Sequence, residues 1–435
     1  MTRLRRAGKG TFQSLHVRNY RIYFTAQLIS VSGTWMQTVA QAFLVLHLAP
    51  PGRAGIYLGL VTALQFLPML LFGSWGGLIA DRLDKRRLLY VTQSAAGILA
   101  LALGLLTAVG AVRLWQVFAL ASLLGFVNVV DNPSRQTFVV ELVGRDDLPN
   151  AVSLNAVVMN SARVIGPAIG GALIALVGLS VCFEVNAASY VAVIIGLSLM
   201  RRSELRPTVP VARGKGQLRE GLRYVWRTPG LRQPLVLVAV VGTLAYNFQV
   251  VLALFARFTF HGGAGVYSAL TALMGGGAVL GGLIIAGRNR PNIHRLTAIG
   301  ATFGVLILAV ALSPDLATAL VLIFPMGALS IAFIATANAT LQLRAEPSMR
   351  GRVMALYAIA FLGTTPIGSP LVGWISQQWS PRVALGVGAL STIAASLITR
   401  RVHRRQHDRL RVEELPPTGA VDVDEAEPGS ELGVA

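Results

Sequence analysis

The sequence has few of the residues from which soluble enzymes build active sites. Cys182 is its only cysteine, so neither an internal disulfide nor a thiolate metal cluster can form. The six histidines are scattered, without a metal-ligand pattern. Neither a phosphate-binding glycine loop nor a nucleophile elbow occurs. We therefore predict no enzyme, no metal site and no cofactor, ATP included.

Charge is also scarce. Charged residues make up 13% of the chain and hydrophobic residues 54%, whereas about a quarter of a soluble domain is charged. The net charge of +19 would suit a nucleic-acid partner if the basic residues formed one face with interleaved aromatics. They stand instead in short clusters between long apolar runs. The composition predicts a protein of the lipid bilayer that does not bind nucleic acid.

Twelve apolar runs are long enough to cross a bilayer, which takes roughly 17–25 residues. They lie at 22–48, 55–80, 88–110, 114–134, 151–178, 181–199, 234–258, 266–287, 296–312, 318–342, 353–376 and 383–399. Backbone groups in lipid must be bonded within their own segment, and the runs lack the alternation of a barrel, so they are predicted to be helices. The first run is too long for a signal-peptide core and counts as a span.

The basic residues predict the orientation of the spans. If the N-terminus lies inside, 33 of the 38 lysines and arginines fall in segments facing the cytoplasm. Such asymmetry follows the positive-inside rule and also explains the net charge. We expect a multi-pass protein of the inner or plasma membrane with both termini in the cytoplasm.

An internal repeat divides the chain into halves. Gly76-Gly77-Leu78-Ile79 recurs 205 residues later as Gly281-Gly282-Leu283-Ile284. Pro167, followed by Ala-Ile-Gly, and Pro366, followed by Ile-Gly, stand 199 apart. This repeat predicts two pseudo-symmetric six-helix bundles in parallel orientation. The predicted parts are a basic N-terminus (1–21), the first bundle (22–199), a linker (200–233) with a helix from Gln217 to Trp226, the second bundle (234–399) and a tail (400–435) that is acidic and disordered after 412.

The loop after the second span carries the sharpest motif, Gly77-Leu-Ile-Ala-Asp81-Arg82-Leu-Asp84-Lys85-Arg86-Arg87. It resembles the signature loop of the major facilitator superfamily, with Asp84 where that family has its second glycine. The resemblance implies the twelve-helix major facilitator fold and alternating access. It also implies that the glycines let the second and eleventh spans approach, and that Asp81 sits near Arg352 at the start of the eleventh span in the outward-facing state.

Three further stretches narrow the resemblance. Ala162-Arg163-Val-Ile-Gly166-Pro167-Ala-Ile-Gly170-Gly171 looks like the motif of the exporting, antiport branch, and Gly-Pro inside a helix permits a kink. The segments 131–143 and 220–229 resemble the enterobactin-exporter and macrolide-efflux branch of drug:proton antiporters. The resemblance covers roughly residues 12–403. The residues expected to control gating are Gly77, Asp81, Arg82, Lys85, Arg86, Glu141, Gly166, Pro167, Gly170, Gly171 and Arg352.

Charges inside the spans are the first candidates for substrate or proton handling, because burying them is costly. Only Asp131, Arg163 and Glu184 lie well within the spans. Arg163 is the deepest, and it either faces the central cavity or forms a structural ion pair with Asp131 on the preceding span. Asp131 and Glu184 are the two candidate proton carriers.

Polar side chains predict the lining of the cavity. Gln27, Ser30, Thr34, Gln37 and Gln41 follow steps of three and four along the first span, which places them on one face. Amides on other spans extend this face: Asn155, Asn160, Asn247, Gln249 and Asn338. The alternative role for such residues is hydrogen bonding between helices, which the hydroxyls serve best.

The sequence thus predicts a secondary transporter that exports a small amphipathic molecule, such as a siderophore or an antibiotic. The molecule would be neutral or weakly anionic, because Arg163 would repel a permanent cation. A proton is the expected coupling ion. The alternatives are a lipid or lysolipid mover on the same fold and a receptor that binds its ligand without transporting it.

Overall fold

A computed structural model describes residues 12–144, 146–206, 217–286 and 291–413 of the chain. In this part twelve helical segments are long and apolar enough to cross a membrane, which confirms the predicted number. In chain order the spans are Arg18–Leu48, Ala54–Arg82, Lys85–Ala108, Leu114–Val143, Leu148–Leu176, Leu179–Leu199, Pro229–Leu244 with Phe248–Leu254, Ala264–Ala286, Ile293–Ala311, Leu316–Arg344, Arg350–Phe361 with Thr365–Gln378, and Pro381–Glu413. The predicted disordered tail lies outside the described residues except for its first positions.

An even number of spans brings both ends of the chain to one side of the bundle. This side also carries most of the basic loops and a linker helix, Gln217–Arg227, close to the predicted one. We call it the basic face, and the other side, with the short connections at 49–53, 177–178 and 379–380, the opposite face. The linker helix ends one residue before the seventh span begins, so it lies where that span leaves the membrane.

Glycine contacts confirm the internal repeat. A Cβ at Gly76 in the second span would lie 1.9 Å from the carbonyl oxygen of Val129 in the fourth. A Cβ at Gly281 in the eighth span would lie 2.3 Å from the carbonyl oxygen of Ala328 in the tenth. The repeated glycines therefore serve the same purpose in both halves, which is to let two backbones touch. Gly76 stands just before the signature motif and contacts the fourth span, whereas the second and eleventh spans approach each other at Gly55 and Gly373.

The seventh and eleventh spans are interrupted near mid-membrane, although the sequence predicted them as continuous helices over 234–258 and 353–376. The seventh breaks between Leu244 and Phe248, and the eleventh between Phe361 and Thr365. Asn247 holds the first break: its amide nitrogen donates to the Thr243 carbonyl at 2.7 Å and its oxygen accepts from Ser369 of the eleventh span at 2.9 Å. The first bond supplies a partner for a backbone carbonyl at the break, and the second fixes the Asn247 side chain to the eleventh span.

The two bundles meet at the opposite face and separate at the basic face. Phe248–Leu254 contacts the first and second spans, while Pro229–Leu244 packs mainly within its own bundle and on the linker helix. Thr365–Gln378 likewise packs along the second span, whereas Arg350–Phe361 packs mainly on the seventh and tenth spans and the linker helix. The structure is therefore the conformation that opens toward the basic face.

Candidate transport pathway

A small polar pocket lies just inside the closed opposite face. Its polar side chains come from the first, second and seventh spans: Thr34, Gln37, Thr38, Gln41, Thr62, Gln65 and Gln249. Gln37, Gln41 and Gln249, which the sequence predicts to line the cavity, all border this pocket, and their part in substrate binding stays a prediction. Thr62 and Gln65 were missed, although two polar residues three apart in an apolar run were a usable signal.

Gln37 is held in place from behind. The Asn186 side chain of the sixth span donates to its amide oxygen at 2.6 Å, and Ser189 in turn donates to Asn186 at 3.0 Å. These bonds fix the position of the Gln37 side chain beside the pocket. The pocket thus offers fixed amide and hydroxyl groups, which suit a ligand with several hydrogen-bonding atoms.

Arg163 lies at the junction of the two bundles, near mid-membrane. Its guanidinium is 5.0 Å from the centre of the Trp35 ring, a cation–π distance. It is also in electrostatic contact with the hydroxyl of Tyr246, which lies in the break of the seventh span. Within the described residues Arg163 forms no ion pair, and both its Nε and the Tyr246 hydroxyl are buried without a hydrogen bond of good geometry. A half-buried cation with an unused donor is a ready partner for an anionic group.

Aromatic rings of the second bundle form a cluster near Arg163. The Tyr246 ring lies 4.8 Å from that of Phe361 and 5.2 Å from that of Phe248, and Tyr357 stacks on Phe361 at 6.2 Å. These rings gather at the breaks of the seventh and eleventh spans, where the helices are discontinuous. Discontinuous helices near mid-membrane commonly form the binding sites of secondary transporters. The described residues thus include a polar pocket, an arginine without an ion pair and an aromatic cluster at the helix breaks.

Asp131 is part of a buried polar network inside the first bundle. It accepts hydrogen bonds from Thr92 at 2.6 Å and Gln93 at 2.7 Å, and it pairs with Arg135 at 2.5 Å. Arg135 also donates to Gln27 of the first span. The expected ion pair between Arg163 and Asp131 is wrong, because Arg135 lies one turn away on the same helix and reaches the carboxylate first.

The remaining predicted lining residues lie elsewhere. Glu184 packs against Gly104 of the third span, and Asn247 is used in the helix break. Asn160 donates to the Ala156 carbonyl of its own helix and Asn155 is exposed. Asn338 accepts from Gln342 at 2.7 Å in the tenth span. None of these five lines the pocket described above.

Comparison with known proteins decides the family. The model of the transmembrane secretion effector family, a group of the major facilitator superfamily, matches residues 9–426. The chain belongs to this family. It is therefore a multi-pass secondary transporter of the major facilitator superfamily with a small-molecule substrate, and not an enzyme.

Curated relatives of the transporter cover most of its length. It is 23% identical to the staphyloferrin A transporter of Staphylococcus aureus, over 91% of this chain and 98% of the relative. It is 29% identical to the multidrug efflux pump Tap of Mycolicibacterium fortuitum, over 80% and 87%. It is 24% identical to the enterobactin exporter EntS of Shigella flexneri, over 83% and 86%.

Among solved structures, the transporter is similar to a bacterial homologue of the human lysosomal transporter Spinster in an inward-facing, unoccupied conformation. The TM-score is 0.68 and the sequence identity 16%, over 92% of this chain and 99% of that one. This similarity confirms the fold.

The signature loop of the transporter ties its first bundle together at the basic face. Lys85 pairs with Glu141 of the fourth span at 3.0 Å, and both side chains are about nine-tenths buried. Arg86 donates to the Leu197 carbonyl at the end of the sixth span. Asp84 accepts from the Arg87 backbone at 2.8 Å and so caps the third span. Asp84, which replaces the second glycine of the family motif, thus has a structural role. Arg82 of the same loop is exposed.

The motif of the fifth span sets two interhelical contacts. A Cβ at Gly166 would lie 2.5 Å from the Ser32 carbonyl oxygen of the first span, and one at Gly171 would lie 2.6 Å from Ser268 of the eighth. Gly170 packs against Met36. Pro167 does not interrupt the helix, which runs unbroken from Leu148 to Leu176. The glycines therefore bring the fifth span against both bundles.

Arg352 has a partner that the sequence did not suggest. It pairs with Glu220 of the linker helix at 3.0 Å, and a Cβ at Gly221 would lie 2.9 Å from the Arg352 Cβ. Asp81 is half-buried at the end of the second span. Its placement near Arg352 in the outward-facing state stays a prediction.

Proposed function

We propose that this transporter exports an amphipathic molecule, neutral or weakly anionic, from the basic face to the opposite face. The main support is the set of groups at the junction of the two bundles: a pocket bordered by amide and hydroxyl side chains, Arg163 without an ion pair among the described residues, and the aromatic cluster at the helix breaks. The aromatic or aliphatic part of the substrate would pack against Tyr246 and Phe361, and an acidic group of the substrate would pair with Arg163. The printed names of the relatives, which describe siderophore and drug transporters, favour the same substrate class.

We also propose that the basic face is cytoplasmic. The support is the distribution of lysine and arginine, which follows the positive-inside rule. Substrate would then enter from the cytoplasm in the conformation seen here, and release would require the bundles to close at the basic face and part at the opposite face.

Proton coupling through Asp131 completes the proposal. Of the two candidate carboxylates, Glu184 lies against the third span and away from the pocket. Asp131 is joined through Arg135 to Gln27, on the polar face of the first span that also carries Gln37 and Gln41. Protonation of Asp131 would release Arg135 and so change the first span, because the charge that holds the guanidinium would be gone.

Arg163 gives the direct test of the substrate class. In inside-out vesicles, Arg163→Gln should lower transport of an amphipathic carboxylic acid at least about tenfold, because losing one buried charge-assisted bond costs about 1.5–3 kcal/mol. The uncharged methyl ester of the same acid should be affected less than about twofold. Arg163→Lys should fall between, since lysine keeps the charge but not the planar fork.

Arg257, near the end of the seventh span at the opposite face, offers the matched control. Arg257→Gln removes one exposed arginine just beyond Leu254 and should leave both rates unchanged. Equal losses of the acid and the ester in Arg163→Gln would show that Arg163 is structural and would overturn its role in substrate selection.

A further inference from the structure

The linker helix Gln217–Arg227 carries a surface that the transport cycle does not use. One side of the helix is docked on the second bundle. Val225 is fully buried there, the Tyr224 hydroxyl accepts from the Glu346 backbone at 3.3 Å, and Glu220 pairs with Arg352. These contacts fix the rotation of the helix about its axis, and hence fix which side chains point away from the protein.

The free side combines an apolar strip with a cationic strip. Leu222 and Trp226, one turn apart, are 46% and 58% exposed. Arg219, Arg223 and Arg227 follow at the same spacing and are exposed as well. At 100° per residue the order around the helix is the docked side, then Leu222 and Trp226, then the three arginines. Among the described residues the three arginines form no ion pair.

The short connection to the seventh span fixes the depth of this surface relative to the membrane. Only Thr228 separates the helix from the seventh span, which begins at Pro229. The helix therefore lies at the level where the chain enters the membrane. At that level tryptophan prefers the interface, leucine reaches the acyl chains, and arginine extends its charge to the headgroups.

We propose that the linker helix binds anionic phospholipid headgroups of the leaflet at the basic face. Leu222 and Trp226 enter the acyl boundary, and Arg219, Arg223 and Arg227 contact phosphate groups beside them. A soluble protein partner would not account for the apolar strip lying at membrane level. A free phosphate anion would need only the arginines and would leave Leu222 and Trp226 without a function.

Bound lipid would also support the docked state of the helix. Glu220, which holds Arg352 at the start of the eleventh span, lies on the same short helix as the three arginines. Lipid that fixes the helix at the membrane surface keeps Glu220 in reach of Arg352. The lipid site thus bears on a span that moves during transport, although its existence does not depend on which substrate is carried.

The test measures lipid contact at Trp226 itself. The full-length protein is placed in nanodiscs that contain brominated phosphatidylglycerol or brominated phosphatidylcholine, and quenching in Trp226→Phe is subtracted from that in wild type. We expect Trp226 to prefer phosphatidylglycerol by at least about fivefold, since each arginine near an anionic surface contributes about that factor. The triple variant Arg219→Gln, Arg223→Gln, Arg227→Gln should reduce the preference below about twofold.

A variant of equal charge loss provides the control. Arg400, Arg401 and Arg404, exposed at the end of the twelfth span, are changed to glutamine, and the preference at Trp226 should persist. Equal quenching by the two lipids in wild type, or a preference that survives the linker variant, would overturn the proposal. Displacement of the lipid by soluble glycerophosphoglycerol would also overturn it, by showing that the site binds a free anion.

Discussion

Gly55→Leu is expected to abolish export and to leave the transporter open at the opposite face. A Cβ at Gly55 would lie 2.3 Å from the Gly373 carbonyl oxygen, and a Cβ at Gly373 would lie 2.2 Å from that of Gly55. Both neighbours are backbone, so neither side can move aside without separating the helices. A cost of about 3 kcal/mol or more to the closed state would shift a two-state balance over a hundredfold.

Thiol labelling checks this prediction. A cysteine is placed at Gln41 in the pocket, where a membrane-impermeant maleimide can reach it from the opposite face only when that face is open. Cys182 is fully buried and gives a low background. Labelling should be slow in the otherwise unchanged protein and fast with Gly55→Leu.

Gly386→Leu is the control, because nothing lies within 4 Å of a Cβ at that position in the twelfth span. It should keep slow labelling and normal export. Slow labelling together with normal export in Gly55→Leu would show that the second and eleventh spans do not form the closure.

Neutralising Asp131 is expected to have the second large effect. Asp131→Asn should abolish export and lower the amount of protein in the membrane, because it leaves Arg135 buried without its counter-charge. Breaking a buried ion pair from one side costs about 3–5 kcal/mol. Arg135→Gln should do the same from the other side.

The double variant distinguishes a structural role of the Asp131–Arg135 pair from a role in proton coupling. Asp131→Asn with Arg135→Gln removes both charges and should recover much of the membrane abundance, measured by fluorescence of a fused reporter after detergent extraction. Export should stay absent, because no proton carrier remains in the network. If the double variant restores export together with abundance, the pair is structural only and the proton must travel elsewhere.

The spans, the repeat and the polar face of the first span could be predicted from the sequence, because each depends on residues that are close together in the chain. The length of an apolar run determines a span, and Gly76 and Gly281 carry a repeat that can be seen without coordinates. Steps of three and four placed Gln37 and Gln41 on one face. Each of these features depends on residues close together in the chain.

Features that depend on packing between spans were missed. The spacing of four residues favours Arg135 as the partner of Asp131, but the bonds that the pair makes to Gln27 on the first span and to Thr92 and Gln93 on the third depend on packing between spans. The break at Asn247 has no proline to signal it and is stabilised by Ser369, which is 122 residues away. Glu220 and Arg352 are likewise far apart in sequence, so only the fold shows that they meet.

Export of the substrate driven by a proton gradient is tested most directly in sealed proteoliposomes of known orientation. Molecules with the basic face outward are selected by reaction with an impermeant reagent, and an acid interior is imposed. We predict that an amphipathic carboxylic acid accumulates inside, that a protonophore abolishes the accumulation, and that Asp131→Asn shows none. Saturable binding of the acid without accumulation under a gradient of either sign would contradict the account and identify a receptor.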